Sequence, residues 1–179
     1  MSRIEITQRD LSLRGDQIRK FLVPLAKAPG GPAWQTRTPV GSFIIGTHDG
    51  SPSASDYRDW RFSTIIPGYR AMYFELWIKQ DPKWYLDRAY LSIFRIEHGS
   101  RDETELLCLH CDPNEPPGEH TLYKIGPHLH IVLAEHPIPH AHIALNKCHL
   151  DDVLLSLRSL SAAMAEAVLL IREEILEAI

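Results

Sequence analysis

The sequence predicts an α+β domain: an antiparallel β-meander of about five strands packed on a long C-terminal helix, with a short N-terminal helix. Three observations carry that expectation. Met72-Tyr73-Phe74-Glu75-Leu76-Trp77-Ile78, Ala89 to Ile96 and Glu105 to His110 are rich in aromatic, β-branched and alternating residues, with turn signals between them at Asp81-Pro82 and His98-Gly99-Ser100. A near-repeat follows, Pro127-His128-Leu129-His130-Ile131 and then Pro139-His140-Ala141-His142-Ile143, and each copy alternates with a period of two. After His149 the period becomes helical, because Leu150, Val153, Leu157, Leu160, Met164, Ala167 and Ile171 recur at spacings of three and four.

Taken in order, Arg3 to Thr7 alternates weakly, and Asp16 is placed to cap a short helix through Gln17, Ile18, Phe21, Leu22 and Leu25, which Pro24 shortens. Residues 28–60 repeat Gly, Pro, Ser and Asp and read as a flexible arm around one strand at Gly41 to Thr47. Sequential short strands with compact links then favour a meander. Glu135-His136-Pro137-Ile138 turns the two histidine strands into a hairpin. Asp151 and Asp152 suit the start of the last helix, which at about 1.5 Å per residue extends roughly 45 Å if it runs to the chain end. Its apolar stripe, widened by Leu154, Leu155, Val168, Leu169, Leu170 and Ile175, exceeds one sheet face. The N-terminal helix, a protein partner or a second copy of the chain is expected on the surplus.

With 179 residues, 44% of them hydrophobic, the chain reads as a single domain, residues 1–179. A formal charge of -4 gives no global attraction to nucleic acid or anionic lipid. Any polyanion contact falls to a local patch, Arg58, Arg61 and Arg70 interleaved with Tyr57, Trp60, Phe62 and Tyr69 and diluted by Asp56 and Asp59. The first residues lack the apolar core of a signal peptide, and charges interrupt almost every stretch long enough to span a bilayer. Three cysteines argue against a disulfide framework. A cytoplasmic setting without membrane contact is the expectation.

Imidazole serves metal ions, phosphates and proton transfer alike, so the histidine hairpin is the main functional clue. A turn over residues 135–139 pairs Ala134 with His140, Val132 with His142 and His130 with Ala144. On that register His128, His130, His140, His142 and Asn146 share one face, while Leu129, Ile131, Leu133, Ala141, Ile143 and Leu145 share the other. His130 and His142 become diagonal neighbours within reach of one ion. A third ligand comes from His110 or Asp112 on the preceding strand, and the cofactor is a divalent metal, zinc or manganese, or none. His128, His130 and His142 are the candidate catalytic groups. Solvent-facing or packed histidines are the plainer reading of the same pattern.

A second zinc reading uses Cys108-Leu109-His110-Cys111 with Cys148-His149, although a strand turns Cys108 and Cys111 to opposite faces. The acidic loop from Asp112 through Glu115 to Glu119 matches no calcium-site spacing and reads as a connector. The sequence holds no Gly-rich phosphate loop, nucleophile elbow or dinucleotide fingerprint.

The block from Leu106-Leu107-Cys108-Leu109-His110-Cys111-Asp112-Pro113 to Pro127-His128-Leu129-His130 resembles one found in small uncharacterised prokaryotic proteins of toxin–antitoxin cassettes and antiphage defence islands. There a strand ends in an aspartate turn, and a His-x-His strand follows a short loop. The likeness covers at most residues 70–131, with Cys111 where those proteins carry an aromatic residue and a longer loop before His128. It implies a defence or toxin-linked protein acting on RNA, with His128 and His130 at the matching positions. His136-Pro137, Asn146, Cys148 and the run Val153 to Leu160 are similar to ubiquitin-conjugating enzymes. That resemblance implies Cys148 as thioester-forming nucleophile and Asn146 as oxyanion stabiliser. Here, however, the His-Pro-Asn motif reads His136-Pro137-Ile138.

Overall fold

The computed structural model describes residues 4–27, 32–37, 41–49, 56–97, 99, 102–113, 128–132, 140–144 and 153–178. The fold is α+β, with two helices against one antiparallel sheet. In chain order the strands are β1 (Glu5–Ile6), β2 (Pro32–Arg37), β3 (Ser42–Thr47), β4 (Phe62–Ser63), β5 (Tyr69–Gln80), β6 (Lys83–Ile96), β7 (Glu103–Cys111), β8 (His128–Val132) and β9 (His140–Ala144). Helix α1 spans Gln8–Leu22 and α2 spans Leu157–Leu170, which continues as a π-helical turn over Ile171–Leu176.

The sheet runs β2-β3-β5-β6-β7-β8-β9, with β1 added to β6 and β4 to β5. The expected five-strand meander corresponds to β5 through β9. Beyond it the main path extends to seven strands, because β3 pairs with β5 and β2 with β3. Strand β2 lies within the segment expected to be an irregular arm. Residues 28–31, 38–40 and 50–55 of that segment lie outside the described residues.

Two helix starts differ from expectation. Helix α1 begins at Thr7, whose hydroxyl accepts from the Asp10 amide at 3.2 Å while the Thr7 amide donates to the Asp10 carboxylate at 3.1 Å. That reciprocal pair satisfies exposed amides nine residues earlier than the Asp16 cap would, and Asp16 falls inside the helix. Helix α2 is capped by Ser156, which accepts from the Ser159 amide at 3.1 Å. It is therefore shorter than the roughly 45 Å span expected. Asp151 and Asp152 lie outside the described residues.

The two sheet faces carry different cargo. Tyr73, Trp77, Leu91, Ile93, Leu109 and Leu129 point to the helices and meet Leu11, Ile18 and Leu22 of α1 and Leu160, Met164 and Val168 of α2 in one buried core. Helices α1 and α2 also pack on each other, which covers part of the broad apolar stripe; Leu169 and Leu170 stay partly exposed. The opposite face buries a smaller cluster of Ile44, Trp60, Met72, Phe74 and Phe94. Gly46 makes room there, since a Cβ at that position would lie 2.9 Å from the Trp60 ring and 2.3 Å from the Tyr73 carbonyl.

At the centre of the helix side, Arg14 and Glu75 form a fully buried ion pair at 2.7 Å. The Arg14 Nε donates to both carboxylate oxygens, and the Tyr73 hydroxyl and Trp77 indole donate to them at 2.6 and 3.1 Å. Arg14 also donates to Gln17 and to Ser161 of α2. Burial works against its charge, but Glu75 beside it holds the guanidinium pKa above its ordinary value.

Removing one partner strands the other charge in the core. We expect Glu75→Gln to lose about 3 to 5 kcal/mol in urea unfolding. Lys83→Ala, whose bond to Glu5 is at the surface, should leave the unfolding midpoint in place.

Candidate metal centre

Alternation on β6, β7 and β8 sends Tyr90, Ser92, Cys108, His110, His128 and His130 to the face away from the helices. Register then sets them side by side: Tyr90 pairs with His110, His110 with His128, and Cys108 with His130. The His110 ring stacks on Tyr90 with centroids 4.2 Å apart and planes 9° from parallel. Its edges meet the rings of His128 and His130, each at 5.4 Å.

Asp112, just past the end of β7, closes the group. The Tyr90 hydroxyl donates to its Oδ1 at 2.7 Å, and its Oδ2 lies 3.8 Å from His110 Nδ1. Burial, reinforced by the bond to Asp112, raises the Tyr90 pKa far above its ordinary value, so the phenol remains a proton donor to the carboxylate. His110, Asp112 and His128 each present a ligand atom, all within 4.8 Å of one another. Ligands 2.0 to 2.2 Å from a tetrahedral ion sit roughly 3.3 to 3.6 Å apart, so an ion here would need side-chain adjustment of about an ångström and a fourth ligand beyond these three. His128 and Asp112 are buried and His110 is half-buried, so the group sits at the edge of solvent. Two imidazoles and one carboxylate suit zinc or manganese.

Comparison with protein-family models, curated proteins and solved structures finds no match for this chain.

The expected ligand set is redrawn by register. Strand β9 pairs His130 with His142, Val132 with His140 and His128 with Ala144, two residues from the expected alignment. His130 and His142 are thus directly opposite in the backbone rather than diagonal; the side chains of His140 and His142 lie outside those described. Of the expected ligands, His110 and Asp112 converge. The third member is His128, which sequence reasoning had assigned to catalysis alone, and His130 sits beside the group. Tyr90 was not foreseen at all. Its signal was its position in an alternating strand, which says nothing about its neighbours without register.

The cysteines separate as a strand requires. Cys108 lies 3.1 Å from the Ser92 hydroxyl on the histidine face, whereas Cys111 is buried in the core on the helix side. Burial pushes both thiols far up, against the thiolate that zinc needs. Cys148, with Asn146, His136 and Pro137, lies outside the described residues.

The arginine patch is already paired with carboxylates. Arg58 binds Asp56 at 2.8 Å, Arg61 binds Glu103 at 3.3 Å, and Arg70 binds Glu103 at 3.1 Å and Asp49 at 3.5 Å. Arg61 also lies over the Phe94 ring, 4.0 Å from its centroid. Among the described residues no helix is long and apolar enough to cross a membrane.

Tyr90 would orient a ligand of any ion held there without supplying one. Tyr90→Phe keeps the stacked ring and removes the bond to Asp112; we expect zinc affinity in calorimetry to fall about 10- to 100-fold with the thermal transition retained.

Proposed function

We propose that this chain is a metal-assisted protein of the defence or toxin type that cleaves phosphoester bonds, in nucleic acid or a smaller phosphate substrate, on its histidine-lined sheet face. The observation that carries the reading is the convergence of His110, Asp112 and His128 within 4.8 Å, with His130 beside them. A divalent ion held there would polarise a phosphoryl oxygen and acidify attacking water.

The chain's own residues take the remaining roles. His110, Asp112 and His128 would hold the ion, and the Tyr90 hydroxyl fixes the Asp112 carboxylate from behind. His130 is less buried than His128 and stands at the rim of the group. It delivers a proton to the departing ester oxygen as water adds to phosphorus and the phosphorus–oxygen ester bond breaks. The products are an alcohol and a phosphate monoester from a diester, or an alcohol and inorganic phosphate from a monoester.

Metal analysis of the purified protein tests this directly. The expected result is about one equivalent of zinc or manganese per chain. His110→Ala and His128→Ala should each abolish retention, while His130→Ala keeps the ion and slows cleavage of a single-stranded RNA by about 100-fold or more. Less than about a tenth of an equivalent, together with cleavage indifferent to chelator, would overturn the metal centre.

A further inference from the structure

On the same sheet face, next to the metal group, lies a cavity of about 280 Å³. Its walls include Tyr57, Phe74, Tyr90, Ile44, Leu76 and Arg88. The rings form a continuous series: Tyr57 meets Phe74 edge-on at 4.8 Å, Phe74 meets Tyr90 at 5.4 Å, and Tyr90 stacks on His110 at 4.2 Å. Register explains the alignment, because Phe74, Tyr90, His110 and His128 are successive cross-strand partners on β5, β6, β7 and β8. With strands about 4.8 Å apart, the cavity wall at Phe74 lies two steps, roughly 10 Å, from His110. Tyr90 belongs to both places. Its ring lines the cavity and backs His110, and its hydroxyl holds Asp112.

We propose that this cavity seats one unpaired nucleobase, placing the attached phosphate toward His110, Asp112 and His128. The proposal rests on the metal-centre reading for the phosphate's destination, while the base pocket stands on its own walls. The volume is at the small end for a ligand site and suits a single ring system, not a base pair. Aromatic walls favour a flat π-face and tolerate any base. Arg88 brings cationic donors for ring nitrogens or carbonyls. Its partner is the adjacent Asp87 at 2.8 Å, a pair close to half-exposed on the arginine side, so exchanging that contact for a base costs little.

Calorimetry with zinc-loaded protein tests the pocket, using AMP, ribose 5-phosphate and a short single-stranded oligoadenylate as probes. AMP should bind at least about tenfold more tightly than ribose 5-phosphate, which offers the same phosphate without a ring. Tyr57→Ala should weaken AMP about tenfold while zinc content stays at the wild-type level. Should that variant fail to fold, Arg88→Gln at the rim gives an equivalent readout, a loss of about tenfold for AMP and adenosine alike. Tighter, salt-sensitive binding of oligoadenylate than of AMP identifies a nucleic-acid strand as the source of the base; equal binding identifies the free nucleotide. Equal affinity for AMP and ribose 5-phosphate, or wild-type AMP binding by folded Tyr57→Ala and Arg88→Gln proteins, would overturn the pocket. Binding of AMP that depends on Tyr57 in protein that holds no zinc would remove the metal centre and leave the pocket standing.

Discussion

The buried pair of Arg14 and Glu75 is the constraint on which the arrangement depends. Two charges removed from water are tolerated only where hydrogen bonds replace the lost solvation. Glu75 receives donors from Arg14, Tyr73 and Trp77, and Arg14 spends its remaining donors on Gln17 and Ser161. Three elements therefore meet at one point: α1 supplies the cation, β5 the anion, and α2 a hydroxyl. Close packing of the apolar core already resists displacement of the helices, and the directional pair adds a fixed point that ties both of them to the face of β5 carrying Glu75.

That commitment leaves the other face uncovered by the helices. On β7, Leu107, Leu109 and Cys111 are consumed by the core, which leaves Cys108 and His110 pointing away from it. Alternation decides the face, and lateral register decides the neighbours. Phe74, Tyr90, His110 and His128 lie far apart in sequence, yet their strands place them in one row. The candidate site is assembled across the strands rather than along any one of them. The repeated His-x-His phrase is thus informative about orientation and less so about partnership.

This distinction explains what could be read from the chain. The five meander strands, the division of His128 and His130 from Leu129 and Ile131 on β8, the opposite facing of Cys108 and Cys111 and the helical C-terminal segment all follow from periods of two and three-to-four; Ile143 of β9, expected on the apolar face, is exposed. Pairing does not. The hairpin register was inferred from Pro137 and a symmetric turn, and the observed alignment differs by two residues, which preserves the face and changes every neighbour. Residues 112–127 separate β7 from β8, and a connection of that length sets no register by local turn chemistry; hence His128 emerged opposite His110 only in three dimensions. The Thr7 start was missed because its partner is Asp10, while the usual signature has Glu or Gln at that position. The short strands β1 and β4 have two residues each, too few for a period to register.

Charge ties the two proposals together. A chain with a formal charge of -4 has no long-range pull on a phosphate, and Arg58, Arg61 and Arg70 are answered at close range by Asp56, Glu103 and Asp49. Recognition of a phosphoester on the histidine face then needs its positive charge from another source. A divalent ion against the single carboxylate of Asp112 would supply a net positive centre where the arginines do not. Such a centre attracts any phosphate and distinguishes none. Selectivity would have to come from the part of the substrate that is not phosphate, and on this face the described residues offer it a series of contacting aromatic rings beside the candidate ion-binding group. Tyr90 is shared between the ring series and the proposed ligand group, so a displacement of its ring on admitting a base would also move the support behind His110 and Asp112. On this reading, occupancy of the pocket and geometry of the centre are coupled through one phenol.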